Sequence, residues 1–451
     1  MSFLSSLKRQ ICKNGCTLRH TDVEDARSTG PINTPDPINE AVQQPQVDEP
    51  ECPQAVDSLS ANRVIDRLPN ELLLWILRDA VESFNSRIVL SHVCRRFRSI
   101  IVGSCEFWVH YELSSDWSSD MIRTIADRTA PLPIQVKMTC PQDDALVLPE
   151  SVATILSLSP RIGDMSLYHF DDQWHGTILR WRLQQCQFPV LYQLHSVYSA
   201  SVISSFPQEG LDMPMLQSLD VDFVPDKFQA ENLLEFSLGF ERGLLLKDAL
   251  GFLSYAISLQ ELHIYMGEIL DKNNASALPI IDMLTLDTLR LYVEREEMYD
   301  DLPVFVRAVR ASCLFTLSID LMSYDPIVNV YANRDLGRDI VSAYPYTRHL
   351  EISGPPRIGL QGIPLAVEEL TFKELRNEWV SFVHISPPFL SRNLRLVRFR
   401  NSDNLSLSSV LYLRNSLKPI VRSLVHFEFE GCRGFRDGIF DLNDVQAAFI
   451  S

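Results

Sequence analysis

The sequence is short of the features that mark most simple function classes. It has no apolar run of the length a membrane span needs, and its first twenty residues lack the uninterrupted apolar core of a secretory signal. Its nine cysteines, at 12, 16, 52, 94, 105, 140, 186, 313 and 432, are odd in number and irregular in spacing, which argues against a secreted disulfide framework. Reduced thiols in an intracellular chain, cytoplasmic or nuclear, are therefore expected. Cys12 and Cys16 make a CxxxC with no second pair, too little for a structural zinc. Positive charge is scarce as well. The chain has 41 Lys and Arg against 58 Asp and Glu, a net charge of −17, which argues against general binding of nucleic acid or of anionic membrane.

Catalytic signatures are missing too. Gly103, Gly163 and Gly176 stand alone, and neither GxGxxG nor GxxxxGK(S/T) occurs. There is no GxSxG elbow, and the histidines include no HExxH. The chain is thus expected not to be an enzyme and to have no catalytic residue, cofactor or metal. His169 and His175 flank Asp171 and Asp172, which superficially resembles a metal cluster without further ligands of fitting geometry. Glu294, Glu296, Glu297, Asp300 and Asp301 form an acidic run that reads as a solvated loop. Arg95, Arg96 and Arg98 are weak evidence for a helix that reads nucleic acid in so acidic a protein.

What is present is globular material: 46% hydrophobic and 22% charged residues over 451 positions, enough for one large domain or two to three ordinary ones. The first sixty residues differ. Met1 to His20 is basic, with Phe3, Leu4, Leu7 and Ile11 able to share one helical face, and reads as a frayed terminus. Thr21 to Ser60 has prolines at 31, 35, 37, 45, 50 and 53 and nine acids against Arg27 alone. It cannot build a core, so residues 1–60 are expected to be a disordered tail.

Residues 64–113 are the most informative stretch. Pro69 suits the first turn of a helix, and Glu71 complements the positive helix end. Leu72, Leu73, Ile76, Leu77, Ala80 and Val81 follow at helical spacing, with Leu74 and Trp75 widening the stripe. Phe84-Asn85-Ser86 breaks the pattern. A second helix fits Arg87 to Ile101, with Ile88, Val89, Val93, Phe97 and Ile100 inward and Arg95, Arg96 and Arg98 mostly off that face. Gly103 and Ser104 punctuate, and Phe107 and Trp108 supply two anchors for a third, short element. About fifty residues are too few to bury a good core alone. The piece should therefore pack on a partner, or cap the rest of its own chain.

This stretch resembles an F-box. The matching pieces are LPNELLLWIL (Leu68 to Leu77), SHVCRRFRSI (Ser91 to Ile100) and Phe107-Trp108 before YEL, in the family's order and spacing. Two departures stand out: Phe97 replaces a frequent tryptophan, and no proline precedes Phe107. The resemblance implies a three-helix module over residues 61–113 that binds a Skp-family adaptor and, through it, a cullin. By that resemblance Leu68, Pro69, Glu71, Leu72, Ile76 and Leu77 would contact the adaptor. Val93, Cys94, Phe97 and Trp108 would join that surface or hold the helices together.

After the module, Asp116 to Arg128 fits a helix with Met121, Ile122 and Ile125 inward, ended by Ala130-Pro131-Leu132-Pro133. Ile134, Val136 and Met138 then alternate as a strand does. From Leu158 onward a triplet keeps returning: an apolar residue, another three later, a third two later. Instances are Ile162/Met165/Leu167, Leu191/Leu194/Ser196, Leu216/Leu219/Val221, Leu233/Phe236/Leu238, Leu259/Leu262/Ile264 and Leu286/Leu289/Leu291. They continue as Leu314/Leu317/Ile319, Thr347/Leu350/Ile352, Val367/Leu370/Phe372, Leu394/Val397/Phe399 and Leu424/Phe427/Phe429. The last two members of each triplet, two apart, point to one strand face, and helical segments such as Gly243 to Ile257 and Pro303 to Ser312 lie between. The spacing resembles irregular leucine-rich repeats, with the repeat asparagine mostly absent. The alternative is an ordinary α/β domain whose strands read this way.

The expectation is an α/β protein: a disordered tail, a three-helix F-box, and a leucine-rich-repeat-like solenoid over 114–451. The resemblance implies a substrate receptor of a Skp–cullin–F-box ubiquitin ligase, similar to the large families of mushroom-forming fungi, with the repeats binding an unidentified target protein. An F-box scaffold outside the ligase, a repeat domain with a helical cap, and an enzyme hidden in residues 114–451 are the alternatives.

Overall fold

The computed structural model describes residues 67–81, 84–113, 117–139, 149–168, 183, 185–197, 213–222, 224, 231–239, 243–272, 278–293, 301–321, 336–353, 366–374, 393–403, 405–418 and 425–450. The expected tail at 1–60, the grouping at 169–175 and the acidic run at 294–300 lie outside the described residues. The chain divides into two compact units between Trp108 and Val109.

In the first unit, three helices run in sequence: α1 (Asn70–Ala80), α2 (Phe84–Val93) and α3 (Arg95–Gly103), followed by a 3-10 turn at Cys105–Trp108. Pro69 sits at the N-cap of α1, its carbonyl accepting from Leu73 N at 3.1 Å. The stretch expected as one helix from Arg87 to Ile101 is two. Cys94 is extended, and its side chain caps α3, Sγ accepting from Phe97 N at 3.4 Å. The break resets the helical phase. Arg87, Leu90 and Ser91 of α2 and Phe97 and Ile101 of α3 are buried, whereas Ile88, Val89 and Val93, expected inward, are exposed. Ile100 is only partly buried. Phe84 begins α2 rather than breaking the pattern.

The second unit is a mixed α/β solenoid with a large parallel sheet. Among the described residues its strands are β1 (His110–Leu113), β2 (Ile134–Thr139), β3 (Ile162–Tyr168), β4 (Gln193–Val197), β5 (Ser218–Val221), β6 (Glu235–Gly239) and β7 (Glu261–Met266). They continue as β8 (Thr288–Val293), β9 (Thr316–Leu321), β10 (His349–Ser353), β11 (Glu369–Lys373), β12 (Leu396–Arg400), β13 (His426–Glu430) and β14 (Gly438–Asp441). All fourteen join one sheet in strict chain order. Each neighbouring pair is parallel until β14, which pairs antiparallel with β13. A two-residue pair, Ile281–Asp282 with Val309–Arg310, lies outside this sheet. β1 belongs to the sheet, so the boundary falls before the expected 113/114.

Every triplet coincides with a strand, and its last two members occupy the buried side: Leu262 and Ile264, Leu289 and Leu291, Leu370 and Phe372, and so on around the sheet. Helices lie between strands, as at Ser119–Thr129, Leu246–Leu253 and Leu302–Ala308. The first of these buries Ile122, Ile125, Ala126 and Thr129, while Met121 is only partly covered. Phe252 of the Leu246–Leu253 helix meets Phe236 of β6 with ring centroids 4.7 Å apart, which places the core between the helices and the triplet side of the sheet. Sequential stacking of this kind makes one continuous core out of units that could not bury their apolar face alone.

Just before each of the strands β5 to β12 a backbone bond joins the repeat to the one before it. The carbonyl of Tyr192 accepts from both Gln217 N and Ser218 N, that of Gln217 from Leu234 N and Glu235 N, and that of Leu234 from Gln260 N and Glu261 N. The same forked bond recurs at Gln260, Asp287, Phe315, Arg348 and Glu368. At the C-terminal end Phe372, Phe399, Phe429 and Phe435 stack with successive centroid separations of 5.4, 5.5 and 4.6 Å.

Candidate functional site

Each unit presents its own surface. In the helical unit, Leu73 and Leu77 of α1 face inward toward a core shared with Leu90, Phe97, Ile101, Phe107 and Trp108. Trp108 Nε1 donates to Ile101 O at 2.7 Å, and its ring meets Phe84 edge-on at 6.2 Å. Arg96 ties α3 to the start of α1: Nη2 and Nε donate to Asn70 Oδ1 at 2.8 and 3.1 Å, and Nη2 also donates to Leu68 O. Arg78 and Glu106 form an ion pair.

The residues singled out from sequence separate into two groups. Leu77, Phe97 and Trp108 are buried and hold the helices together, so Leu77 is not on the surface where the resemblance placed it. Pro69, Glu71, Leu72, Val93 and Cys94 are exposed, and Leu68 and Ile76 are half-buried. The structure adds Trp75, 72% exposed beside the 50% exposed Leu72 on the same face of α1. It also adds Ile88 and Val89, the latter one turn from Val93 along α2. Sequence reading missed these because a wide apolar stripe on a short helix does not show which part the core takes.

In the solenoid, the residues between the buried ones form the open strand face, which is mostly polar, with Leu396 and the rings of Tyr265 and Tyr292 among the exceptions. From β10 to β13 its acids are matched by cations: Glu351 with Lys373 at 2.6 Å, Glu428 with Arg398 at 2.5 Å, and Glu430 with Arg400 at 2.7 Å. From β3 to β7 the outward positions carry Asp164, Asp220, Glu235 and Glu261 and no Lys or Arg. Two of these acids face histidines: His195 Nδ1 lies 2.5 Å from Asp220, and His263 Nε2 lies 3.6 Å from Glu261. Burial pushes the Asp164 carboxyl above its ordinary range, against the opposing pull of His195. Tyr265 and Tyr292 stack face to face at 4.4 Å, and burial raises the Tyr265 phenol.

Asp301, expected in a solvated loop, is fully buried. Its Oδ2 accepts from Ile269 N at 2.9 Å and its Oδ1 lies 3.1 Å from Lys272 Nζ. It braces the turn that carries Asp271, whose carboxylate accepts from Leu246 N and Lys247 N at 2.8 and 3.1 Å and so caps the first turn of the earlier Leu246–Leu253 helix. Among the described residues, no helix is long and apolar enough to cross a membrane.

No protein-family model and no curated protein matches the sequence. Among solved structures, that of the leucine-rich repeat-containing protein LegL7 from Legionella pneumophila is similar to this chain. The two share 11% identity over 71% of this chain and 90% of that one, with a TM-score of 0.32. A likeness of that size carries no functional argument. The repeat architecture stands instead on the strand order, register and triplet burial described above.

Proposed function

We propose that the chain is the substrate-receptor subunit of a Skp–cullin–F-box ubiquitin ligase. The helical unit docks on a Skp-family adaptor and the open strand face of the solenoid, with its flanking loops, holds a target protein. The observation that carries the reading is the division of the helical unit's apolar residues. Leu77, Phe97 and Trp108 build its interior, while Leu72, Trp75, Val89 and Val93 remain outside it on two helices. The sequence around them, LPNELLLWIL and SHVCRRFRSI, is where the F-box resemblance lies. Apolar residues left at the surface of so small a module are the expected anchors of an interface.

In this role the chain performs no bond chemistry. It raises the effective concentration of a target beside a ubiquitin-charged enzyme and orients it there. The test is co-purification of the full chain with a Skp-family adaptor, wild type against a Leu68→Ala, Pro69→Ala, Ile76→Ala triple variant. Retention by the wild type and loss in the variant supports the reading, and no retention by folded wild type sinks it. Adaptor retained without cullin would instead favour a scaffold acting outside the ligase.

A further inference from the structure

Outside the helical unit, one cluster of side chains has the composition of a ligand set. Glu235 and Glu261 are register partners on β6 and β7, and His263 lies two residues along β7 on the same face. One donor atom from each of the three lies within 4.8 Å of the others. His263 Nε2 is sealed from solvent, and no neighbour lies within ordinary hydrogen-bond distance of it among the described residues. It stands 3.6 Å from a Glu261 oxygen. On the other side of the cluster, Ser218 Oγ donates to Glu235 Oε2 at 3.1 Å and holds that carboxylate in place.

These distances suit a small ion. A tetrahedral cation bound at about 2.0–2.1 Å by nitrogen and carboxylate oxygen places its ligand atoms roughly 3.3–3.5 Å apart. The His263–Glu261 edge is already near that length, and rotation of two glutamate side chains closes the rest. The Ser218–Glu235 bond is the kind of outer contact that orients a ligating carboxylate. Arg290, the register partner of His263 on β8, sets one positive charge at the edge of the cluster. Two carboxylates outweigh it. One imidazole with two carboxylates suits a borderline first-row divalent ion better than calcium or magnesium, which want a cage of six or more oxygens or retained waters.

We propose that Glu235, Glu261 and His263 form a binding site for a divalent ion of the zinc class, held between two successive repeats on the open strand face. A solvent molecule or a donor from a bound target would take the fourth position. The site is independent of adaptor docking, since all three ligands belong to the solenoid.

The test titrates zinc chloride into chelator-treated, reduced full chain and follows both heat of binding and thermal midpoint. Wild type is compared with His263→Gln, Glu235→Gln and, as a control on the same face, His195→Gln. The site predicts one more equivalent of zinc in wild type and His195→Gln than in His263→Gln or Glu235→Gln. It also predicts a zinc-dependent rise in midpoint that those two variants lose. Equal stoichiometry and equal midpoint shift across all four proteins would overturn it, and so would an equal shift with magnesium in place of zinc. The substituted side chains lie on the solvent side of the sheet and keep their volume, and far-UV dichroism confirms that each variant is folded before titration.

Discussion

Replacing Asp301 with alanine should cost the solenoid about 1.5–4 kcal/mol. The side chain is 1% exposed and accepts from Ile269 N at 2.9 Å. Losing a hydrogen bond to a charged acceptor, and leaving a buried N–H without a partner, accounts for roughly 1.5–3 kcal/mol. Lys272 is 38% exposed and can turn to water, so the lost ion pair adds only about 0–1 kcal/mol. Asp301→Asn keeps an acceptor for Ile269 and gives up the charge, so it should fall between wild type and alanine. Urea unfolding gives the difference, and hydrogen exchange over the 266–272 segment locates it. The reasoning fails if Asp301→Ala unfolds within about 0.5 kcal/mol of wild type, the scatter expected of an ordinary surface change. It fails also if exchange at Ile269 is not accelerated.

Two further outcomes follow from the sheet. Ser196 fills a triplet slot that the other repeats give to an apolar residue, is fully buried, and its Oγ has no partner among the described residues. Ser196→Val should therefore stabilise by ~1 kcal/mol or more in urea unfolding, and a loss of stability would show that the slot lacks room for the two methyl groups. Asp164 is held above its ordinary pKa by burial, so the native state binds its proton more tightly than the unfolded chain does. That costs stability once pH rises above the ordinary carboxylate range and through the raised native value, and costs nothing below both. Asp164→Asn should raise the thermal midpoint at neutral pH, with the gain shrinking to nothing in acid. A gain independent of pH would point to packing instead.

The repeat architecture was legible because eleven of the fourteen strands, β3 to β13, announce themselves twice, through two residues at spacing two and a third placed three earlier. All eleven triplets fall on strands, even where Ser196 or Thr347 weakens the pattern. Helix phase was less legible. Apolar residues at 88, 89, 93, 97 and 100 fit one continuous helix, but Cys94 takes an extended conformation, so Leu90 and Ile101 turn inward and Val89 and Val93 turn out. Nothing in the local spacing shows that break, because a cysteine cap looks like any other helix residue. Asp301 was misread for a different reason. Its partners, Ile269 N and Lys272, are about thirty residues away, and a carboxylate in an acidic run gives no local sign that it is buried. The first strand was missed because its four residues, HYEL, follow the helical module without punctuation, and only pairing with β2 assigns it to the sheet.

The most direct measurement is calorimetric titration of a purified Skp-family adaptor into the purified full chain, wild type beside Leu72→Ala, Trp75→Ala and Leu77→Ala. The account predicts that wild type binds. It predicts that Leu72→Ala and Trp75→Ala, whose side chains are largely exposed, weaken binding at least tenfold with the thermal midpoint unchanged, a loss of ~1.4 kcal/mol or more. Leu77→Ala, which opens the core of the helical unit, should lower stability first. Absence of binding by folded wild type, or binding indifferent to Leu72 and Trp75, would contradict the account.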